Sequence, residues 1–526
     1  MIERKILIGL ITSTEFLKEI RPHFDPQFIE SSTARLLSTW TIDYFDEYKK
    51  CPNTDIEDIF YKKLNEGLDK ESAEEIENDI LPDLSDEYTD EPQDIKFLID
   101  ETFTYFQKRK LLLIAEQIEG TIEQGKGPVK KRVREVLKLV EGFKRIEKEK
   151  DDTVDLSKPE SEKDIREAFE AIKEPIVRFP KQLGKFWNQQ FIPGGFLAFL
   201  APEKRGKTWI LIMIINFALK QGRKVALFQA GDMNKSELIK REVTYLTKRN
   251  TDEKYCKAHF EAVRDCYKNQ WNTCQRKERE SDFGCMEDVT EDEYRDMKMQ
   301  DYEILWNDMQ DYKPCYNCEE FDKFKLGVPW VKPIESCEVL DVESAIKARK
   351  NFFKKYKGQF KIATYPSSTL TVEMAETQLD KWEEKDDFVA EIILFDYLDI
   401  MTTNVKEEFR HRENTKWKEV RALSQKPRRG ILPLVISPTQ ADTKAFKKDR
   451  LQLENFSEDK RKYGHVTGFW GLNQDKKGIE KSMGLLAINE LILREGDFSE
   501  GNEITLIQNL KQGRPLKGSY FSTFKK

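Results

Sequence analysis

The chain has 526 residues, 38% of them apolar and 35% charged, with a formal net charge of −7 and eight cysteines. That length suits about two to four domains with separate cores, and no apolar run approaches the roughly 18–20 residues that span a bilayer. The acidic balance excludes a globally basic nucleic-acid binder, so such binding must use local basic loops, and the uneven cysteine spacing excludes a secreted disulfide scaffold.

The opening MIERKILIGLITSTEF carries charge on both sides of its apolar patch and has no small-residue cleavage site, which argues against a signal peptide and for a cytoplasmic chain. Residues 1–150 are predicted to form an all-α N-terminal domain, because ARLLSTWTIDYFDEYKK and IKFLIDETFTYFQKRKLLLIAEQIEG repeat apolar residues at three- and four-residue spacing. Between them DKESAEEIENDILPDLSDEYTDEPQD reads as a solvated acidic loop or face. Around EKEKDDTVDLSKPESEKD large apolar residues nearly vanish, and residues 151–175 are assigned to a linker.

From 176 to 526 strand-like runs alternate with helical ones: GFLAFLA, KVALFQAG, FKIATY, EIILFDYLDIM, LPLVISPTQA, VTGFWGLNQ, MGLLAINEL and ITLIQNL. Strands separated by helices predict an α/β domain on a largely parallel sheet. The alternation breaks between the second and third runs, so residues 250–345 are read as a cysteine-rich insertion into that domain.

The first run leads into APEKRGKT and then a long apolar helix, the strand–loop–helix context of a phosphate-binding loop. In that reading the backbone from Ala201 through Pro202, Glu203, Lys204, Arg205 and Gly206 cradles phosphates at a helix N-terminus. Lys207 adds a point charge and Thr208 a hydroxyl for Mg²⁺. EIILFDYLDIM delivers Asp396 to a strand end, where a carboxylate can hold Mg²⁺ through water. Asp232, just past KVALFQAG, is the candidate general base.

In the insertion, Cys315 and Cys318 have the two-residue spacing that grips Zn²⁺, and Cys266 with Cys274 is the expected second pair. Cys285, Cys256 and Cys337 remain alternatives for one ligand. Zinc would be structural here, folding a charged segment with little apolar core of its own.

Taken in order, APEKRGKT, VALFQAGDM, ILFDYLDIM, LVISPTQ and LIQNLKQGRP resemble the RecA-like motor of replicative hexameric DNA helicases of the DnaB type, phage-encoded ones in particular. The resemblance covers residues 176–526 without the insertion, and more faintly the helical part. It implies a RecA-like P-loop ATPase that uses ATP and Mg²⁺ to move on single-stranded DNA and open forked duplex DNA as a homo-hexameric ring. A primase or helicase loader is an implied partner, and no membrane is involved. Asp232 stands where the family has its catalytic glutamate, and Gln440 matches the glutamine that senses the γ-phosphate. Lys511 and Arg514 match the basic residues that such helicases lend to a neighbouring subunit's site. Loops facing the ring channel would contact DNA through Arg410, Arg412, Lys444, Lys447, Lys448, Arg450, Lys460, Arg461 and Lys462. A RecA-like recombinase and a non-hydrolysing DNA-binding scaffold with a decayed ATPase are the alternatives.

Overall fold

The computed structural model describes residues 2–81, 94–123, 128–141, 156–157, 159, 161–170, 174–277, 279–403, 409–442, 445, 448–455, 460–496, 499 and 501–522. Residues 82–93 of the acidic stretch and 151–155, 158, 160 and 171–173 of the linker therefore lie outside the described residues. The chain divides into two compact units, Met1–Ile165 and Arg166–Lys526.

The first unit is helical among its described residues. Ser31 caps the helix Ser32–Tyr48 by accepting from the Ala34 N–H, and Lys49 ends it in the left-handed region. Its apolar stripe, Leu37, Trp40 and Phe45 among it, packs with Leu10, Phe16 and Phe106 in one core. The long helix Ile95–Glu123 is buried only in its first half, at Leu98, Ile99, Thr102, Phe103 and Phe106. The following helix, Val129–Glu141, leaves Val129, Val133, Leu137 and Val140 exposed.

In the second unit all eight predicted strands are present: β1 (Phe196–Ala201), β2 (Lys224–Gln229), β5 (Gln359–Thr364), β6 (Ile392–Asp396), β7 (Leu434–Gln440), β8 (Gly468–Asn473), β9 (Leu485–Leu493) and β10 (Glu503–Asn509). With β11 (Arg514–Tyr520) they form a nine-stranded sheet in the order β11-β10-β9-β8-β1-β7-β6-β2-β5. From β8 to β5 every pairing is parallel, and β8, β9, β10 and β11 pair antiparallel. Helices cover both faces, so the central strands are apolar throughout, as a parallel sheet requires. On β1, Leu197, Phe199 and Ala201 enter one core while Phe196, Ala198 and Leu200 enter the other, the two-residue alternation of a strand buried on both sides. Each such phenylalanine contributes about 1.5–3 kcal/mol by burial.

The insertion builds a hairpin, β3 (His259–Cys266) with β4 (Gly327–Ile334), and lies against the antiparallel end of the sheet. Contrary to the expectation of a core-poor segment, Met286, Tyr294, Tyr302, Tyr312, Phe321 and Trp330 pack there with Leu485, Ile507 and Tyr520 of the sheet. Its apolar residues are spread thinly along the sequence and gather only because the hairpin folds onto β9–β11.

Candidate functional site

The carboxyl ends of β1, β7, β6 and β2 meet at one edge, and the chain order reverses about β1, where open α/β sheets bind ligands. In register, Ala201 of β1 stands opposite Gln440 of β7, and Gln229 of β2 opposite Asp396 of β6. The loop after β1 turns through positive φ at Lys204 and Gly206 and enters the helix Lys207–Lys220. Ala201 is not among the positive-φ residues, so alanine serves there without strain. At Gly206 the left-handed backbone does favour glycine, and an added Cβ would also stand 3.4 Å from Leu510 Cδ1.

Inside the loop, Lys207 Nζ donates to the carbonyls of Ala201 and Pro202 at 3.3 and 3.5 Å. Burial lowers its pKa, opposed by the carboxylates of Asp399, Asp232, Asp396 and Glu203. Thr208 Oγ1 donates to Asp396 Oδ2 at 3.2 Å. Asp396 is 1% exposed, and its Oδ1 has no hydrogen-bond partner among the described residues. Burial, with Asp232 nearby, pushes its pKa up to about 6. A buried carboxylate oxygen left bare beside a second carboxylate and a threonine hydroxyl fits a divalent cation shared with phosphate oxygens, since Mg²⁺ needs few protein ligands.

Gln440 donates from Nε2 to Glu203 Oε1 at 3.1 Å and accepts from the Tyr397 hydroxyl at 3.2 Å, which ties the sensor position to the loop. Its backbone N–H and the Thr439 hydroxyl both donate to Asp399. Asp232 follows Gly231, whose φ of 102° and contact with Ser367 N exclude a side chain, and it is exposed at the chamber wall. Lys207, Thr208, Asp232, Gln440 and Lys511 thus line one chamber of about 810 Å³. Arg205 lies to one side, donating to the carbonyl and side-chain oxygens of Gln474.

Several chamber residues escaped sequence reasoning. Trp209 and Arg241, whose guanidinium lies 5.9 Å from the Trp209 ring centroid, carried no motif signal, and Tyr255 comes from the insertion. Tyr397 was legible only as the residue after Asp396. Lys511, expected to serve a neighbour's site, lines its own chain's chamber with its ammonium over the Tyr255 ring at 4.6 Å. Arg514 begins β11 beside Lys248 and Lys517, makes no ion pair among the described residues, and has a buried Nε without a hydrogen-bond partner there.

The expected zinc ligands gain no support from the structure. Among the described residues no group of three or more His, Cys, Asp or Glu side chains is arranged to hold a metal ion. Cys318 is in electrostatic reach of Cys266 and Cys315, but those two with Cys274 do not close into a ligand set around it. Cys266 is buried in the aromatic core, and burial pushes its thiol up to about 11.

Two expected DNA contacts are corrected. Arg450 is held by Glu480 and Glu503, with Nη2 at 2.8 and 2.9 Å from their Oε1 atoms. Lys462 is 1% exposed, 3.0 Å from Glu413 and 4.0 Å from Asp399, in a network that also holds Lys416. Both cations are consumed by internal carboxylates. Arg412 is exposed, as is Lys448, which pairs with Glu454. Lys444 and Lys447 lie outside the described residues, as do the side chains of Arg410, Lys460 and Arg461.

No family model matches the sequence, and no curated protein matches it. Among solved structures, a DnaB-like replicative helicase, described with its interactions with primase, superposes with a TM-score of 0.50 at 14% identity, over 97% of this chain and 98% of its own. The ATPase domain of another helicase gives 0.43 at 12% identity, over 70% of this chain and 99% of its own. No described helix is long and apolar enough to cross a membrane. The chain therefore has the fold of a DnaB-like replicative helicase, a RecA-like core preceded by helices.

Proposed function

We propose that the chain is a ring-forming, ATP-driven DNA helicase that hydrolyses ATP and moves along single-stranded DNA. The observation that carries this reading is the Thr208–Asp396 contact at the ends of β1 and β6, directly beside Lys207. Hydrolysis leaves little covalent chemistry to the protein, so positioning and charge decide the rate. Loop N–H groups and Lys207 hold the β- and γ-phosphates. Thr208 and Asp396 would hold Mg²⁺, whose charge would offset that of those phosphates. Asp232 orients the attacking water and takes its proton, and Gln440 reports the γ-phosphate to Glu203 and Asp399.

Arg514 of one subunit completes the site of its neighbour; a guanidinium with two lysines, Lys248 and Lys517, in electrostatic range and no ion pair among the described residues suits an anion brought by another chain. The apolar stripe of the helix Val129–Glu141, where Val129 is 65% and Val140 53% exposed, supports self-association. DNA contact falls to Arg410, Arg412, Lys444, Lys447, Lys448, Lys460 and Arg461, with Arg450 and Lys462 removed. A primase or loader binds the assembled ring.

ATPase turnover with and without single-stranded DNA, and unwinding of a forked duplex, test the reading. Lys207→Ala should abolish both while leaving the circular dichroism spectrum unchanged. Wild-type turnover in that variant would overturn the assignment of the loop.

A further inference from the structure

A second cavity, of about 410 Å³, opens beside the nucleotide chamber, and the two share Lys204, Tyr255, Lys481, Leu510 and Lys511. One wall is the segment that opens the insertion, from Lys254 through the start of β3 at His259 to Ala262, and another is the segment from Gln508 to Lys511. Phe260, Met299, Met483 and Leu510 make much of the lining apolar, while His259 and Asn509, 3.2 Å apart from Nε2 to Nδ2, supply polar edges. Tyr255 stands where the two spaces join, its backbone carbonyl accepting from Gln512 Nε2 at 3.1 Å. The ammonium groups of Lys254 and Lys511 lie 4.7 and 4.6 Å from its ring centroid. The size suits a small organic ligand, and an aromatic ring flanked by apolar side chains and a few polar edges is how proteins hold a heteroaromatic base.

We propose that this cavity binds the base and ribose of the nucleoside triphosphate whose phosphates occupy the chamber, with Tyr255 as the platform for the base. The inference rests on the nucleotide reading above and adds to it that the insertion is part of the substrate site. When the base arrives, one lysine leaves the Tyr255 ring. Lys511, which lines both spaces, can turn from the ring to the phosphates without leaving its segment. The phosphate end then supplies charge recognition through Lys207, and the insertion supplies the recognition of the base. Several cations on the rim, Lys204, Lys254, Lys257 and Lys481 among them, would also attract a bare anion, so the test separates base from phosphate.

ATP and inorganic tripolyphosphate are titrated in competition with a fluorescent nucleotide on the full-length chain. Tyr255→Ala should weaken ATP about tenfold, the scale of one lost aromatic stack, and leave tripolyphosphate unchanged. Tyr255→Phe, which keeps the ring, should bind ATP as the wild type does. Equal losses for ATP and tripolyphosphate in Tyr255→Ala, or no loss for either, would overturn the proposal. Lys207→Ala is the control for the nucleotide reading and should lose both ligands; if it keeps both, that reading fails independently of this one. Should Tyr255→Ala not fold, 8-azidoadenosine triphosphate on the wild-type chain decides. Label in the 250–262 or 508–511 peptides supports the platform, and label confined to other peptides overturns it.

Discussion

Asp396 at the parallel edge and Asp265 in the insertion are both buried aspartates, each pushed up to about 6 mainly by burial. Their surroundings differ in one respect. Asp265 Oδ1 accepts from the Cys266 and Cys315 N–H groups at 2.7 and 2.8 Å and from Asn269 Nδ2 at 3.2 Å. Its Oδ2 accepts from Gln270 Nε2 at 3.0 Å and the Tyr312 hydroxyl at 2.6 Å. Asp396 has Thr208 on one oxygen and nothing on the other among the described residues. A buried carboxylate with filled oxygens pins a fold, here tying β3 to the loop that carries Cys315. One with a bare oxygen keeps an acceptor free for a group the described residues do not supply. Equal burial and equal pKa shifts therefore do not separate these two aspartates, whereas the hydrogen bonds on their oxygens do.

The widest test of that contrast concerns the completion of the Asp396 edge by another chain. Arg514→Ala should cut ATP turnover by a factor on the order of a thousand while nucleotide binding stays nearly unchanged. Mixing it with Lys207→Ala subunits should restore part of the rate, because some interfaces then join an intact loop to an intact arginine. A flat rate across mixing ratios, with mixed assemblies shown to form, would sink the shared site.

Exchanging each aspartate comes next in size. Asp396→Asn should lower turnover by about a hundredfold, the scale of removing one preorganised electrostatic contact, without lowering Tm. Asp265→Asn should do the reverse, losing about 2 kcal/mol of stability as its donors meet an amide, with turnover per folded molecule retained. Thermal denaturation beside ATPase assays would break the comparison if the two variants behaved alike.

A smaller effect is expected from pH. Asp396 must be charged to hold Mg²⁺, so turnover should fall as pH drops through about 6, with the midpoint moving lower as Mg²⁺ is raised. The stability sign is opposite: a pKa raised from 3.8 means the folded chain binds the proton more readily. Its contribution is therefore fully present below the unfolded value and lost as pH rises through about 6. A midpoint insensitive to Mg²⁺ would remove Asp396 from the metal site.

The smallest effect separates exposed from consumed cations. Arg412→Ala should weaken single-stranded DNA binding several-fold and reduce the salt slope by about one. Lys462→Met should lower Tm and leave that slope unchanged, because its ammonium faces Glu413 and Asp399. A reduced slope in Lys462→Met would reinstate it as a DNA contact.

The sequence by itself determined the strands of the sheet and the strand–loop–helix turn at Gly206. Apolar runs bounded by charge announce buried strands, and Gly206-Lys207-Thr208 between two such runs points to a strand–loop–helix turn. These signals are local, carried by periodicity and backbone chemistry within a few residues. Tertiary structure alone decided the state of each charge and thiol. Arg450 and Lys462 read as channel cations until Glu480, Glu503, Glu413 and Asp399 are brought beside them. Cys266 carries only a spacing signal in the sequence, and its place in one apolar cluster with Tyr302, Tyr312 and Trp330 comes from the fold. Tyr255 had no signal at all, since its place on the chamber wall depends on where a long insertion folds back. Electrostatic and solvation energies depend on what lies within a few ångströms in space, and for these residues those neighbours are mostly remote in sequence.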